Sequence, residues 1–275
     1  MKSRSVDEII AIVLVFLFVI SMLVIPLISV LGNGFSKGFA FFIDSISNDY
    51  VMSAIKLTFL TMIITVLVTG IFGLVAAYCI GKFEFPGKSI LTTVIDIPFS
   101  VSPVIAGLAF IMTFGRMGWL HSYIESINAY FNLDIRVVFA IPGVILATIF
   151  VTFPFIYREI IPVLFSQGKE EEEAAALMGA SGWTIFWRIT FPAIKWPFIY
   201  GVILCSARAI GEFGAVAALS KARGETFTLP LEIDALYMSG SENGIVAAFA
   251  ASSILVCISL IMLCIRSVVE KKGHS

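Results

Sequence analysis

Three groups of residues in this 275-residue chain could do chemistry. Arg208 and Glu212 stand four apart within the apolar stretch FIYGVILCSARAIGEFGAVAAL, a spacing that puts both on one face of a helix. A charge at mid-bilayer costs roughly 2.5–3.5 kcal/mol on insertion scales, so such a pair must face a bundle interior or a polar cavity. Two roles stand open: an ion pair that fixes helix packing, or a gate or pathway in which the arginine favours anions and the glutamate masks it between cycles. Gly211 and Gly214 flank the glutamate and permit close crossing by another helix, including one from a second subunit. Asp96 opens DIPFSVSPVIAGL, where it can cap a helix near the membrane interface or take part in gating. Pro98 and Pro103 kink or break the helix there, and Ser100 and Ser102 can satisfy the backbone groups this frees. The third group is a polar segment, residues 170–192, reading EEEEAAALMGASGWTIFWRITFP in an otherwise apolar chain.

The familiar catalytic constellations are missing. There is no G-x-x-x-x-G-K-[ST] phosphate loop, no H-E-x-x-H, no G-x-S-x-G and no Cys/His cluster. His121 and His274 are too few and too peripheral for a metal site. Cys79, Cys205, Cys257 and Cys264 show no paired or ligand spacing and read as small apolar packing residues. Neither a catalytic residue, a metal, a bound cofactor nor a nucleic-acid partner is expected of this chain.

The elements that position these groups follow from composition. At 59% hydrophobic and 13% charged, the chain is far more apolar than a soluble domain. Six runs are long enough to cross a bilayer as helices, about 9–31, 57–80, 90–114, 137–157, 198–219 and 245–265. Alternating strands of barrel type are absent, so the expected fold is an all-α membrane protein with six transmembrane helices, one domain over residues 1–275. The first run follows Lys2 and Arg4 like a signal peptide, but it is too long for a signal core and no A-x-A site follows; it reads as an uncleaved anchor. With the N-terminus in the cytoplasm, Lys82, Lys88, Arg158, Lys169, Arg188, Lys195, Arg266, Lys271 and Lys272 join Lys2 and Arg4 inside, leaving fewer basic residues outside. Both termini and residues 170–192 then lie on the cytoplasmic side of the plasma membrane. Trp119, Tyr123, Tyr130 and Phe131 in the outer loop 115–136 suit an amphipathic helix at the lipid interface.

Within residues 170–192 the four glutamates favour a helix N-terminus, where the dipole stabilises negative charge. Ala174 and Ala175 are strong helix formers that allow close approach of a partner surface. Gly179 tolerates positive φ and ends or bends the helix, and Pro192 suits the first turn of the next. The aromatic stretch between them, with Trp183, Phe186 and Trp187, anchors the element to the bundle or the bilayer face. Glu173, Ala174, Ala175, Gly179, Ile189 and Pro192 reproduce E-A-A-x(3)-G-x(9)-I-x-L-P, with Phe191 at the usual leucine. The segment therefore resembles the ATPase-coupling helix of ABC importer permeases.

Over most of its length the chain resembles the sulfate/thiosulfate permease family of ABC importers, carried by DIPFSVSPVIAGL, FVTFPFIYREIIPVL, the coupling segment, SARAIGEFGAVAAL and RGETFTLPLEIDALY. The resemblance implies a type I importer permease with a cytoplasmic coupling helix. It also implies a second permease, more often similar than identical, a cytoplasmic ABC ATPase dimer that uses ATP and Mg, and an external oxyanion-binding protein. Molybdate and tungstate permeases are similar through R-x-x-G-E-F-G, which Arg208, Gly211, Glu212, Phe213 and Gly214 fit; the text after it, ALSKARGETFTLPL, is closer to the sulfate branch. A gradient-driven secondary transporter is the other class, in which Asp96 and Glu212 would relay protons. The docking motif and the lack of an internal repeat stand against it.

Overall fold

The first apolar run is helical throughout in the computed structural model, which describes residues 6–273. Lys2, Arg4 and His274, used in the charge and histidine readings, lie outside the described residues. Helix α1 (Val6–Val19) passes through a π-helical turn, Ile20–Val24, into α2 (Ile25–Gly34). The π turn lies just before Pro26, whose nitrogen cannot donate to the Met22 carbonyl and whose ring would collide with it. Widening the helix by one residue removes that collision. The apolar window of this helix buries nothing in its own chain. It touches the bundle at its far end, where a Cβ on Gly34 would sit 2.9 Å from Ser253 Oγ.

A short helix, α3 (Phe39–Ser47), leads to α4 (Asp49–Lys82), whose start is capped by the Asn48 side chain accepting from the Tyr50 N–H. Next come α5 (Lys88–Ser100) and α6 (Pro103–Phe114), which meet at 112°. The third expected span, 90–114, is thus two half-helices and not one straight rod. The cause is local: a residue before proline is driven out of the helical region, and Val101 and Ser102 are extended at ψ 132° and 133°. Ser102 makes no side-chain cap bond, so the expected repair of freed backbone groups is not made by that hydroxyl.

Helix α7 (His121–Phe131) is the amphipathic helix expected in the outer loop, with Tyr123, Ile127, Tyr130 and Phe131 exposed. The chain continues through α8 (Ile141–Gln167), α9 (Glu170–Leu177), α10 (Gly182–Ile185), a second π turn at Phe186–Thr190, and α11 (Phe191–Ile210). It closes with α12 (Gly214–Leu219), α13 (Leu229–Met238) and α14 (Glu242–Gly273). Five helical stretches are long and apolar enough to cross a membrane, and the bent pair α5–α6 makes a sixth if counted as one broken span. The fifth runs from Gly182 to Ile210 and does not reach residue 219 as expected, because the backbone leaves the helix at residues 211–213.

The core lies where α4, α8 and α11 pack together, with Ala77, Ile80, Ile156, Ile160, Leu164, Ile194 and Cys205 buried. Close crossing depends on missing side chains. A Cβ on Gly201 would lie 2.9 Å from the Ile156 Cα, and one on Gly73 3.3 Å from the Ile156 Cβ. Threonines are also buried here, and Thr58, Thr69, Thr148 and Thr152 return their hydroxyls to carbonyls one turn back. Thr58 in addition accepts from the Leu229 N–H at 2.8 Å, which fixes the start of α13 against α4. Cys205 packs 3.2 Å from Thr69 Oγ1 as a buried apolar residue, whereas Cys257 and Cys264 face outward.

Candidate functional site

Local chemistry shapes residues 170–192, the segment expected to couple to an ATPase. Its four glutamates form the first turn of α9, where the unpaired N–H groups and the helix dipole favour them. The helix ends in a reciprocal pair of bonds: the Ala180 N–H donates to the Ala175 carbonyl and the Gly179 N–H to the Ala176 carbonyl, both at 3.0 Å. This is a Schellman ending, which needs a left-handed residue at its centre, and Gly179 supplies φ +87°. Glu173, Ala174 and Gly179 are exposed, as are Leu177 and Met178 at 91% and 89%. Two large apolar side chains therefore stand clear of the chain at the tip of a short acidic helix.

Pro192 lies in the first turn of α11, as expected, but α11 continues the preceding helical turns without a break. The proline thus lies within one continuous helical rod, immediately after the π turn that contains Ile189. Its clashing carbonyl would be that of Arg188, inside the π turn, so the arrangement repeats the one at Pro26. The aromatic stretch is anchored to the bundle on one side only: Ile185 is buried and Phe186 packs edge-on against Tyr78, while Trp183 is 72% exposed.

The residues that fix this segment were not singled out by motif. Lys82, the last residue of α4, donates to the Gly168 carbonyl at 2.8 Å and pairs with Glu172 Oε1 at 3.0 Å. The Thr190 hydroxyl donates to the same carboxylate oxygen. A buried lysine at the end of an apolar helix, facing an acidic loop, was the available sequence signal.

At the second group, Arg208 and Glu212 are brought together at 2.7 Å, but not as neighbours on one helix. Arg208 belongs to the last turn of α11, whereas Glu212 lies in the break and turns toward α12, accepting from the Ala215 N–H at 2.9 Å. The glutamate is 1% exposed and the arginine 32%, so the pair joins a buried anion to a partly open cation. The two glycines separate in role. A Cβ on Gly214 would lie 3.1 Å from Pro103 Cβ, so it marks a close crossing with α6 of the same chain. Gly211 is exposed and meets nothing nearer than its own Ala207 carbonyl at 3.7 Å, so no helix of the same chain crosses there. The tighter approach is at Gly107, where a Cβ would fall 2.6 Å from the Ala215 carbonyl and 2.8 Å from Ala218 Cβ.

Asp96 is neither a helix cap nor part of that break. It sits inside α5 and pairs with Arg158 of α8 at 2.9 Å, and the Arg158 guanidinium lies 4.1 Å from the Phe99 ring centre. On the opposite end of the bundle, Arg223 forms a two-pronged pair with the wholly buried Glu232 and stacks on Tyr50 at 4.6 Å. Hydrogen bonding to Glu232 raises the Arg223 guanidinium above its ordinary value. No group of three or more metal-ligating side chains occurs among the described residues.

The profile of binding-protein-dependent transport system inner membrane components matches residues 70–272. The sulfate transport system permease protein CysW of Synechococcus elongatus is 42% identical over 272 residues, covering 98% of this chain and 92% of that one. The protein of the same name in Escherichia coli is 41% identical over 250 residues, covering 90% and 83%. A chain of the bacterial ABC transporter involved in import of the acidic polysaccharide alginate superimposes with a TM-score of 0.77 over 98% of this chain and 96% of that one. At 17% identity that likeness is one of fold, and it places the bundle in the permease architecture of type I importers. The chain belongs to the binding-protein-dependent transport system inner membrane component family, among the sulfate transport permeases.

Proposed function

We propose that this chain is the transmembrane permease subunit of an ATP-driven importer that carries sulfate or thiosulfate into the cell. The observation that carries the reading is the exposed tip of the coupling segment. Glu173, Leu177 and Met178 project from a short helix whose other side is tied to the bundle, which suits a ball seated in a partner's socket. The partner is a cytoplasmic ABC ATPase dimer, which supplies the ATP and Mg chemistry that this chain has no motif for. A second permease, similar but not identical, completes the path, and an external oxyanion-binding protein delivers the substrate. The distribution of basic residues supports both termini and the coupling segment on the cytoplasmic face.

Arg208 suits the path. Its guanidinium is one-third open at a helix break, Gly211 beside it leaves space, and Glu212 holds one of its nitrogens. A dianion passing this point meets a cation already paired with a carboxylate, so it is attracted without being trapped. Asp96, half-buried and paired with Arg158 on another helix, serves to hold α5 against α8 while the gate at the break moves.

The test is uptake of labelled sulfate by vesicles holding this chain with its second permease, ATPase and binding protein. Uptake that requires ATP and resists excess molybdate supports the reading. ATP-dependent uptake abolished by molybdate transfers the substrate to the molybdate or tungstate class, and uptake driven by an ion gradient without ATP overturns the proposal.

A further inference from the structure

Of the four glutamates that open α9, Glu170, Glu171 and Glu173 are exposed and Glu172 is turned inward. Its side chain is 15% exposed and that of Lys82 only 4%. One carboxylate oxygen receives both the Lys82 ammonium and the Thr190 hydroxyl, and the same ammonium holds the Gly168 carbonyl in the turn that follows α8. Four parts of the chain thus meet at one point: the end of α4, the end of α8, the first turn of α9 and the π turn that leads into α11.

We propose that Lys82, Glu172 and Thr190 form the joint that passes movement of α9 to α4 and α11 together; they are positioning residues for energy coupling, and this rests on the coupling reading given above. The geometry leaves little slack. α9 is held to the bundle through this carboxylate, and because Lys82 and Thr190 share one oxygen, displacing the helix by more than a hydrogen-bond length must break the node or carry both partners with it. The Schellman turn at Gly179 makes α9 a closed unit at its other end, so a push at its tip is not lost by fraying. Thr190 closes the π turn, and single π turns inside α-helices are frequent at functional sites. A push on α9 is therefore delivered at the π turn of the rod that ends at Arg208. Stability alone does not call for such a node, since apolar side chains would pack here without desolvating a lysine and a glutamate.

The experiment uses the complete transporter in vesicles, with the two permeases, the ATPase and the binding protein, and reads sulfate imported per ATP hydrolysed. The amount of permease and of co-purified ATPase is measured alongside. Lys82→Met and Glu172→Gln are expected to lower the ratio on the order of tenfold, the middle of the range for residues that carry coupling. Lys82→Arg, which keeps a charged donor, should return it to within about twofold of wild type by the same reasoning. Thr190→Val keeps the volume of a wholly buried residue and removes only the hydroxyl, so it tests the joint even if the charge variants fail to fold; a fall of about threefold is expected. A wild-type ratio in Thr190→Val, or in both charge variants at normal protein levels, overturns the proposal, as does a loss in Lys82→Arg equal to that in Lys82→Met. Uptake by the wild-type complex that needs no ATP would instead refute the coupling reading itself.

Discussion

Replacing Arg208 by alanine probes the helix break directly. Glu212 is 1% exposed and would lose its countercharge while keeping its bond from the Ala215 N–H. Removing one partner of a fully buried pair costs about 3–5 kcal/mol, because the remaining charge is stranded. Arg208 is 32% exposed, so water already screens part of the interaction, and the expected loss falls to about 2–3 kcal/mol. At roughly 2–4 °C per kcal/mol for a chain of this size, the melting temperature of the purified complex should drop by about 4–12 °C. The informative companion is Arg208→Ala with Glu212→Gln, since glutamine still offers an oxygen to the Ala215 N–H and no charge is left buried. The double variant should regain part of the lost stability, with a coupling energy of about 1–2 kcal/mol across the mutant cycle. If Arg208 also lines the path, stability returns but sulfate uptake does not. Melting temperatures of the two single variants that simply add in the double would refute the reasoning that these side chains act as a pair. Recovery of uptake together with stability would leave the arginine a packing residue only.

Two further outcomes follow from the glycines. Gly107→Ala should lose about 1–3 kcal/mol, seen as earlier thermal unfolding, because its Cβ would fall 2.6 Å from the Ala215 carbonyl and a backbone atom cannot swing aside; an unchanged melting temperature would show that α6 and α12 can separate freely. Gly179→Val meets no neighbour within 4 Å, so its cost is the left-handed backbone alone, about 1–2 kcal/mol confined to the end of α9. Hydrogen exchange at Gly179 and Ala180 should quicken and import per ATP should fall, with Gly182→Ala as an equally uncrowded control that changes neither.

How much of this was legible in the sequence depends on the range of the forces involved. The apolar runs announced helices, since only an internally bonded helix satisfies its backbone in lipid, and the long runs 9–31, 57–80 and 245–265 each fall within one continuous helical stretch. The prolines announced a break near Ser102 and the glycine announced the end of α9, because both act through the residue's own backbone. The π turn before Pro192 was not legible, because it forms only as the helix continues on both sides. The fifth span was drawn too long because GEFGAVAAL is apolar and helix-compatible, and its interruption at Gly211 comes from packing α12 against α6. Glu172 could not be told from its three neighbours, since the partner that selects it, Lys82, is 90 residues away in the chain and meets it only when α4 and α8 pack.

The sequence by itself determined the membrane-spanning helical class, the family, the short acidic helix that ends at Gly179 and the closeness of Arg208 to Glu212, all of which rest on composition, local backbone chemistry or a spacing of a few residues. The tertiary structure alone decided which glycine is crossed by a helix of the same chain, which glutamate faces inward, that Asp96 pairs with Arg158, and that Arg223 holds a buried Glu232. Each of these depends on side chains distant in the chain, or on the backbone at a break, being brought within a few ångströms, and no local pattern encodes that distance.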